Sequence, residues 1–272
     1  MTASPRSTLD VAGHSIAYRV TGSGSGAAVC IHGFGSDRSV WSFNVPALAA
    51  GTTVYALDLP AHGQSSPRLE SGSLGELVGV VAGFITALGL SNVQLVGHSL
   101  GGAIAIRLAA EHPRLAAALT LVAPAGIGAA GTADLDITFA RDFLAMRTPA
   151  EAMAVLGRLV ARPGQISPTM AADVLEHARA PAVHASLSTL VDNALQRDLS
   201  GGQLRAVLEQ LAVPIEILWG TDDAITPAAA ANGLPASIPV HRVSGAGHLV
   251  QMEKSAAVNR VLVAQAAAIR SG

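Results

Sequence analysis

The chain has 272 residues, half of them hydrophobic, and its formal net charge at pH 7 is -2. A chain of this length can bury one large core and carry an insertion, and its charge gives no sign of the basic surface that binds nucleic acid. Cys30 is the only cysteine, which excludes a disulfide within the chain and fits a reducing compartment. Residues 1–6 lack the apolar segment of a signal peptide, and the most apolar run, 77–90, is shorter than the ~18 residues that span a membrane. We therefore expect a cytoplasmic protein that binds neither nucleic acid nor a membrane.

Short apolar runs alternate with helical patterns along most of the chain, which favours a parallel sheet covered by helices on both faces. The predicted strands are 16–20, 27–31, 54–58, 93–96, 119–122, 215–219 and 240–243. The predicted helices are 41–49, 73–88, 99–111, 227–232 and 253–269. The alternation stops between residues 126 and 211, where the patterns favour helices throughout. We predict an α/β core made of residues 1–125 and 212–272, with residues 126–211 inserted as a helical cap.

Two of the predicted helices begin with the pattern of a capping box, in which a hydroxyl residue and a glutamate three positions later satisfy each other's backbone N–H groups. The pairs are Ser73 with Glu76 and Thr148 with Glu151. Pro149 strengthens the second start, because proline suits the first helical position.

The pentapeptide 97–101, GHSLG, joins a predicted strand directly to a predicted helix. A sharp strand-to-helix turn exposes the central serine, and glycines at its ends avoid clashes in so tight a bend. The helix that follows points its free N–H groups at the place where negative charge develops during acyl transfer. The pattern therefore predicts Ser99 as a nucleophile.

A base and an acid follow Ser99 in the chain. His248 lies in a glycine-rich loop after the last predicted strand, where it is available to accept the serine proton. Asp222 and Asp223 follow the preceding strand, and either could orient the histidine. The order serine, aspartate, histidine is that of hydrolases built on an open α/β sheet.

The sequence resembles the α/β-hydrolases over nearly its whole length. The motifs that carry the resemblance are 32–35 (HGFG), 58–65 (DLPAHGQS), 97–102 (GHSLGG), 219–227 (WGTDDAITP) and 245–248 (GAGH). Within this superfamily, residues 32–65 and 122–128 are most similar to the hydrolase-like domain of acetoin dehydrogenase dihydrolipoamide acetyltransferase components. The resemblance implies a mostly parallel, doubly wound sheet with an inserted helical cap. Ala61 departs from the motif, where a glycine is usual.

The resemblance also separates the two aspartates. In the family pattern the acid stands four residues before the proline that opens the next helix, so Pro227 implies Asp223. Asp222 is then a turn residue that bonds nearby backbone, as aspartate often does.

Two backbone N–H groups should stabilise the oxyanion, one from the residue after the nucleophile and one from the loop after an earlier strand. Leu100 provides the first. Phe34 provides the second, because it lies between glycines after the predicted strand 27–31.

The remaining predicted pocket residues lie in these motifs or in the cap. They are His32, Gly33, His98, Phe139, Phe143 and Leu249. For His32 and His98 the more common role is structural, as hydrogen-bonding partners of the turns. The predicted cap has seven arginines and nine acidic residues. We expect these charges on its solvated face, the alternative being that Arg141 or Arg147 turns inward to bind an anion.

These residues predict a serine hydrolase that cleaves a modest-sized, apolar ester or thioester through an acyl-enzyme. We expect a small-molecule acyl substrate and no cofactor. No metal is expected, since no pair has H-E-x-x-H or C-x-x-C spacing. The oligomeric state is left open, a homodimer being one option.

Three other functions stay open at this point. A carbon–carbon bond hydrolase of the meta-cleavage type would share the fold and the triad, but such enzymes typically have an aromatic residue where this chain has Leu249. An acyltransferase would fit the acetoin dehydrogenase resemblance, but the chain lacks the H-x-x-x-D-G signature of that activity. An inactive binding protein on the hydrolase fold would usually have lost a triad residue.

Overall fold

The computed structural model describes residues 7–128 and 135–271. In these ranges one sheet contains eight strands: β1 (Ser7–Val11), β2 (His14–Thr21), β3 (Gly26–Ile31), β4 (Thr52–Leu57), β5 (Val93–His98), β6 (Ala116–Val122), β7 (Ile215–Gly220) and β8 (Val240–Val243). Their order is β1-β2-β4-β3-β5-β6-β7-β8. Strand β2 pairs antiparallel with β1 and β4, and the other neighbours are parallel. This mostly parallel sheet confirms the predicted fold class. The sequence analysis did not predict β1, which is short and alternates polar with apolar residues.

Ten α-helices accompany the sheet in the described residues. They are α1 (Val45–Leu48), α2 (Leu74–Ala87), α3 (Leu100–Glu111), α4 (Ile137–Ala145), α5 (Pro149–Gly157), α6 (Pro168–Arg179), α7 (Pro181–Leu190), α8 (Gln203–Gln210), α9 (Val250–Glu253) and α10 (Ser255–Ser271). A π-helical segment, Val191–Asp198, continues α7. The predicted helix 41–49 divides into a 3-10 turn, Arg38–Trp41, and the short α1, and the predicted helix 227–232 is the 3-10 turn Ala228–Ala231.

Successive strand residues pack against different helical layers, as expected when side chains alternate across a sheet. In β3, Val29 and Ile31 belong to the core shared with α2 and α3, whereas Ala28 and Cys30 belong to the core shared with α10. Cys30 is buried, and burial raises the pKa of its thiol to about 12.

The two predicted capping boxes differ in the structure. At α5 the box is complete, because Thr148 and Glu151 satisfy each other's backbone N–H groups. At α2, Ser73 accepts a hydrogen bond from the Glu76 N–H, but the Glu76 carboxylate accepts from the backbone of residues 70–72 instead of Ser73. The N–H groups of the loop before α2 therefore bind the Glu76 carboxylate.

Most of the predicted insertion is helical and extends from β6 to β7. Helices α4 to α6 share a cavity with the loops at the carboxyl edge of the sheet, whereas α8 packs against α3. The division into core and cap stays a prediction. Residues 129–134 of the predicted cap and residues 1–6, interpreted above as lacking a signal peptide, lie outside the described residues. No helix within 7–128 or 135–271 combines the length and apolarity needed to cross a membrane.

Candidate active site

Ser99 occupies a strained turn between β5 and α3. Its backbone has φ +53° and ψ -116°, which non-glycine residues rarely adopt. The Ser99 N–H donates to the carbonyl of Val122 at 3.0 Å. A Cβ on Gly97 would lie 2.4 Å from the Gly101 carbonyl oxygen, and a Cβ on Gly101 would lie 2.3 Å from the Ile31 oxygen. The flanking glycines are therefore required by close backbone approach, as the sequence pattern indicates.

His248 and Asp223 form a buried pair. The His248 Nδ1 lies 2.8 Å from Asp223 Oδ2, so the imidazole N–H donates to the carboxylate there. Asp222 is exposed and accepts a hydrogen bond from the Thr221 hydroxyl. Of the two aspartates, the structure therefore brings Asp223 to the histidine. The hydroxyl of Ser99 makes no hydrogen bond within the described residues, and apo sites often have such loose contacts.

The Asp223 carboxylate has more partners than the sequence analysis identified. Its Oδ1 accepts from the N–H groups of Ile225 and Thr226, at 2.8 and 3.0 Å. Its Oδ2 accepts from the Trp219 indole and from the Thr226 hydroxyl, at 3.2 and 3.0 Å. These three residues lie in the motif 219–227, which contains the only sequence signal for them.

Electrostatics keep Asp223 ionised. Burial alone would raise the pKa of this carboxyl, but the charge of His248 and the hydrogen bonds from His248, Ile225 and Thr226 outweigh it, so the pKa of Asp223 lies below its ordinary value. An ionised Asp223 holds the proton of His248 on Nδ1, which leaves Nε2 free to act as a base.

The sequence analysis assigns the oxyanion to the N–H groups of Phe34 and Leu100. Neither the Phe34 N–H nor the Leu100 N–H donates a hydrogen bond within the described residues. Gly33 lies against the nucleophile, since a Cβ on it would be 3.0 Å from the Ser99 Cβ. The predicted oxyanion donors thus lie on the loop after β3, which contacts Ser99 through Gly33, and at the first residue of α3.

Two neutral histidines hold the loop that contains Phe34. The His32 Nδ1–H donates to the Gly33 carbonyl at 2.8 Å, and its Nε2 accepts from the Leu59 N–H. The Gly35 N–H donates to Nε2 of His62 at 3.1 Å. Burial lowers the pKa of both His32 and His62. Sequence reasoning did not identify this role for His62, because its partner is 27 residues away.

His98 contacts both the backbone and the ring of His248. Its Nε2–H donates to the carbonyl of His248 at 3.0 Å, and the two rings are 4.6 Å apart. Burial and the neighbouring His248 hold the pKa of His98 well below its ordinary value. His98 therefore supports the backbone of His248 as a neutral ring.

A cavity of about 570 Å³ connects these groups. Of the predicted site residues, the following line it: Gly33, Phe34, His98, Ser99, Phe139, Phe143, His248 and Leu249. His32 is buried behind the loop and does not line the cavity, which corrects its assignment to the pocket.

The cavity walls are mainly apolar, and their charged lining residues are acidic. Phe34 and Phe143 stack edge to face with ring centroids 5.2 Å apart. Asp37 and Asp173 line the cavity, whereas no lysine or arginine of the described chain does. Arg141 is bonded to Gln196, and Arg147 is bonded to backbone carbonyls and exposed. The inward arginine considered in the sequence analysis is therefore absent at both positions.

Among residues 7–128 and 135–271, no set of three or more histidine, cysteine, aspartate or glutamate side chains is arranged to hold a metal ion.

The chain is similar to known proteins over most of its length. The dihydrolipoyllysine-residue acetyltransferase component of the acetoin cleaving system of Cupriavidus necator is 35% identical over 253 residues, which are 93% of this chain and 67% of that protein. A 2-hydroxy-6-oxononadienedioate/2-hydroxy-6-oxononatrienedioate hydrolase of Cupriavidus pinatubonensis is 28% identical over 265 residues, covering 89% of this chain and 87% of that protein.

Solved structures give the same fold. A meta-cleavage product hydrolase from Pseudomonas fluorescens has a TM-score of 0.83 at 21% identity, over 94% of this chain and 96% of its own. A family model described as the alpha/beta hydrolase family matches residues 28–261. The predicted resemblance is confirmed: the chain belongs to the alpha/beta hydrolase family.

Proposed function

We propose that this protein is a serine hydrolase that cleaves an uncharged, apolar ester or thioester. The observation that carries the proposal is the 2.8 Å contact between His248 and Asp223, in a cavity that His248 shares with the elbow serine Ser99. Membership of a hydrolase family supports the reaction class.

In the first half of the reaction, the Ser99 oxygen attacks the acyl carbon while Nε2 of His248 takes the hydroxyl proton. The carbonyl oxygen becomes an oxyanion, which the N–H groups of Phe34 and Leu100 stabilise. Asp223 balances the charge of the imidazolium that forms. The bond from the acyl carbon to the leaving oxygen or sulfur then breaks, and His248 returns its proton to that atom.

In the second half, a water molecule replaces the leaving group. His248 takes one proton from the water as its oxygen attacks the acyl carbon of the Ser99 ester. Collapse of the second oxyanion breaks the bond to the Ser99 oxygen, which recovers the proton from His248. The acid is released and the enzyme returns to its starting state.

The lining of the cavity favours a substrate with an uncharged acyl group. Its inner wall is apolar, with Phe139 and Phe143 from the cap, and Asp37 and Asp173 are its charged lining residues. An anionic group would find no lysine or arginine among the described lining residues and would lose its hydration, which costs several kcal/mol.

The charge preference can be measured directly with p-nitrophenyl esters of matched length, one ending in a methyl group and the other in a carboxylate. We expect kcat/KM to favour the neutral ester by about tenfold or more, since 1.4 kcal/mol already gives that factor. Arg141→Ala and Arg147→Ala serve as controls and should leave the ratio unchanged. A preference for the anionic ester that is lost in either arginine variant would contradict the proposed substrate class.

A carbon–carbon bond hydrolase is the second candidate, because a relative that covers most of this chain is named as a dienedioate hydrolase. The name of that relative's substrate specifies two carboxylates, whereas the cavity of this chain has no lysine or arginine among its described lining residues. The acetyltransferase relative suggests acyl transfer as a further option, but this chain spans 67% of that protein.

A fluorophosphonate probe tests the nucleophile, and a substrate panel tests the bond. We expect the probe to label wild-type protein on Ser99 and to leave Ser99→Ala unlabelled. Among p-nitrophenyl esters, acyl-CoA thioesters and dienones, the esters or thioesters should be hydrolysed fastest. Absence of labelling would contradict a serine mechanism, and faster turnover of dienones would favour the second candidate.

A further inference from the structure

The Glu253 carboxylate joins the loop that contains His248 to the cap. Its Oε1 accepts from the Gly247 N–H at 2.7 Å, and its Oε2 accepts from the Ala161 N–H at 2.8 Å. Glu253 ends α9, is half-buried and is separated from Ala161 by 92 residues. One side chain therefore binds the residue immediately before the base and a cap residue at the same time.

Other contacts complete this junction. On the far side of His248, the Leu249 N–H donates to the Leu159 carbonyl of the cap at 3.0 Å. A Cβ on Gly247 would be 2.7 Å from the backbone N of Ala161, so the two backbones are in direct contact. The segment 159–161 and the loop 247–249 thus meet along their main chains on both sides of the base.

The same elements form the cavity wall. Leu159 of the cap segment lines the cavity beside His248 and Leu249. The segment that Glu253 bonds and the base therefore face the same cavity.

The geometry points to Glu253 as a positioning residue that sets the place of His248 through the Gly247 N–H and couples it to the cap segment 159–161. This inference rests on the proposed function, since it assigns Glu253 a role in that reaction. A carboxylate suits the junction because both of its oxygens are acceptors. A glutamine has one acceptor, and its amide donor would oppose one of the two backbone N–H groups.

The test compares Glu253→Gln with Glu111→Gln. Glu111 is exposed and pairs with Arg107 on α3, so its variant makes the same chemical change at a distance from the site. For Glu253→Gln we expect kcat and the rate constant of fluorophosphonate labelling to fall about tenfold to a hundredfold, because a displacement of about 1 Å at a reacting group has effects of that size. The KM of a short ester should change less than about threefold, because the apolar walls are intact.

Labelling stoichiometry separates positioning from loss of folded protein. Each folded Glu253→Gln molecule should still take up one probe, only more slowly. A fall in activity that is matched by a fall in stoichiometry, with an unchanged rate constant for the labelled fraction, would overturn the inference. If Glu253→Gln does not fold, Glu253→Asp provides the same measurements, because its carboxylate is too short to reach both N–H groups.

Amide hydrogen exchange tests the junction independently of activity. Peptides that cover residues 158–162 and 244–250 should exchange faster in Glu253→Gln than in the wild type or Glu111→Gln. If wild-type protein does not react with the probe, the proposed function fails. The amide exchange rates of the two segments then test by themselves whether Glu253 joins them. Unchanged exchange in both segments would overturn the inference, and faster exchange in both would support it.

Discussion

The backbone of Ser99 is held in a conformation that costs about 1–3 kcal/mol for a residue with a Cβ. At φ +53° and ψ -116° the serine begins α3 without being helical itself. The surrounding structure maintains this conformation through close contacts between the elbow and β3, and through the hydrogen bond to Val122. The strain is thus associated with the residue that the proposed mechanism uses as nucleophile.

Two substitutions at Ser99 separate strain from chemistry. Ser99→Ala should lower turnover by about 10⁶, because loss of one triad member disables the unit, and should leave the unfolding temperature nearly unchanged. Ser99→Gly should abolish activity and stabilise the fold by about 1 kcal/mol, because glycine adopts positive φ without steric cost. Thermal unfolding and ester hydrolysis measure both effects. Substantial activity in Ser99→Ala would exclude the serine mechanism.

The aspartate pair provides a second comparison between neighbours. Asp223→Asn should lower kcat by about 10⁴, because the amide no longer holds the imidazole in the required tautomer. Asp222→Asn, at an exposed position bonded to Thr221, should have a far smaller effect. Steady-state kinetics of the two variants under identical conditions provide the measurement, and the reverse ranking would assign the acid to Asp222.

The strand β5 and helix α3 are joined without any intervening loop, and this junction depends on backbone approach. Gly101 lies on α3 where a Cβ would meet the carbonyl oxygens of Ile31 and His32, at 2.3 and 2.6 Å. The helix start is therefore pressed against the end of β3, which brings Leu100 towards the loop of Phe34. Glycine at this point allows the close approach of the two segments that contain the proposed oxyanion donors.

A pair of glycine substitutions tests this junction. Gly101→Ala should destabilise the protein by about 2 kcal/mol or more, because its methyl group would overlap backbone atoms that have no room to move. Gly79→Ala, at an exposed position in α2 with nothing within 4 Å of the added Cβ, should stabilise the protein by about 0.5–1 kcal/mol. Urea denaturation of both variants measures the difference. Equal stability of the two variants would contradict the packing at the elbow.

Local patterns in the sequence predict much of this architecture. The elbow around Ser99 is predictable because its glycines and its flanking strand and helix are adjacent in the chain, and the α5 start is predictable from Thr148 to Glu151. Local sequence patterns do not predict contacts between segments that are far apart in the chain. His62 and Glu253 acquire their roles from Gly35 and Ala161, and only folding brings these partners together.

The predicted cap shows the same limit on a larger scale. Its helices are rich in alanine, so an apolar stripe does not reveal which residues face the cavity and which face the sheet. Phe139 and Phe143 line the cavity. The outward direction of Arg141 and Arg147 depends on the rotation of α4 and of the segment after it, which a sequence pattern does not determine.

The whole molecule assembles its site at one edge of the sheet. Loops after β3, β5, β7 and β8 contribute Phe34, Ser99, Asp223 and His248, and the carboxyl ends of parallel strands meet there. Neutral histidines fill the space behind these groups, where burial lowers their pKa values. The stability of the entire fold therefore depends on keeping these rings uncharged.

This dependence predicts the effect of pH on stability. The pKa values of His32, His62 and His98 are lower in the folded chain than in the unfolded chain, so the unfolded chain binds more protons between the two values. Stability should be fully present above the unfolded pKa of about 6.5 and should be lost as pH falls below it. Each ring that stays neutral contributes a slope of about 1.4 kcal/mol per pH unit.

Urea denaturation between pH 8 and pH 5 measures this slope. His62→Gln removes one of the buried rings, so the slope should decrease by about 1.4 kcal/mol per pH unit. His112→Gln removes an exposed histidine as the control and should leave the slope unchanged. A stability that does not vary with pH in the wild type would contradict the neutral state of these rings.

The buried thiol of Cys30 gives the molecule a practical property. With its pKa raised to about 12, the only cysteine of the chain stays protonated and shielded at neutral pH, and maleimide reagents react with exposed thiolates. Cysteines introduced at exposed Ala172 on α6 and exposed Val263 on α10 would therefore accept a pair of fluorescent dyes with no native thiol to remove. Energy transfer between the dyes would report the separation of α6, in the predicted cap, from α10 in single molecules, with and without a covalent phosphonate on Ser99.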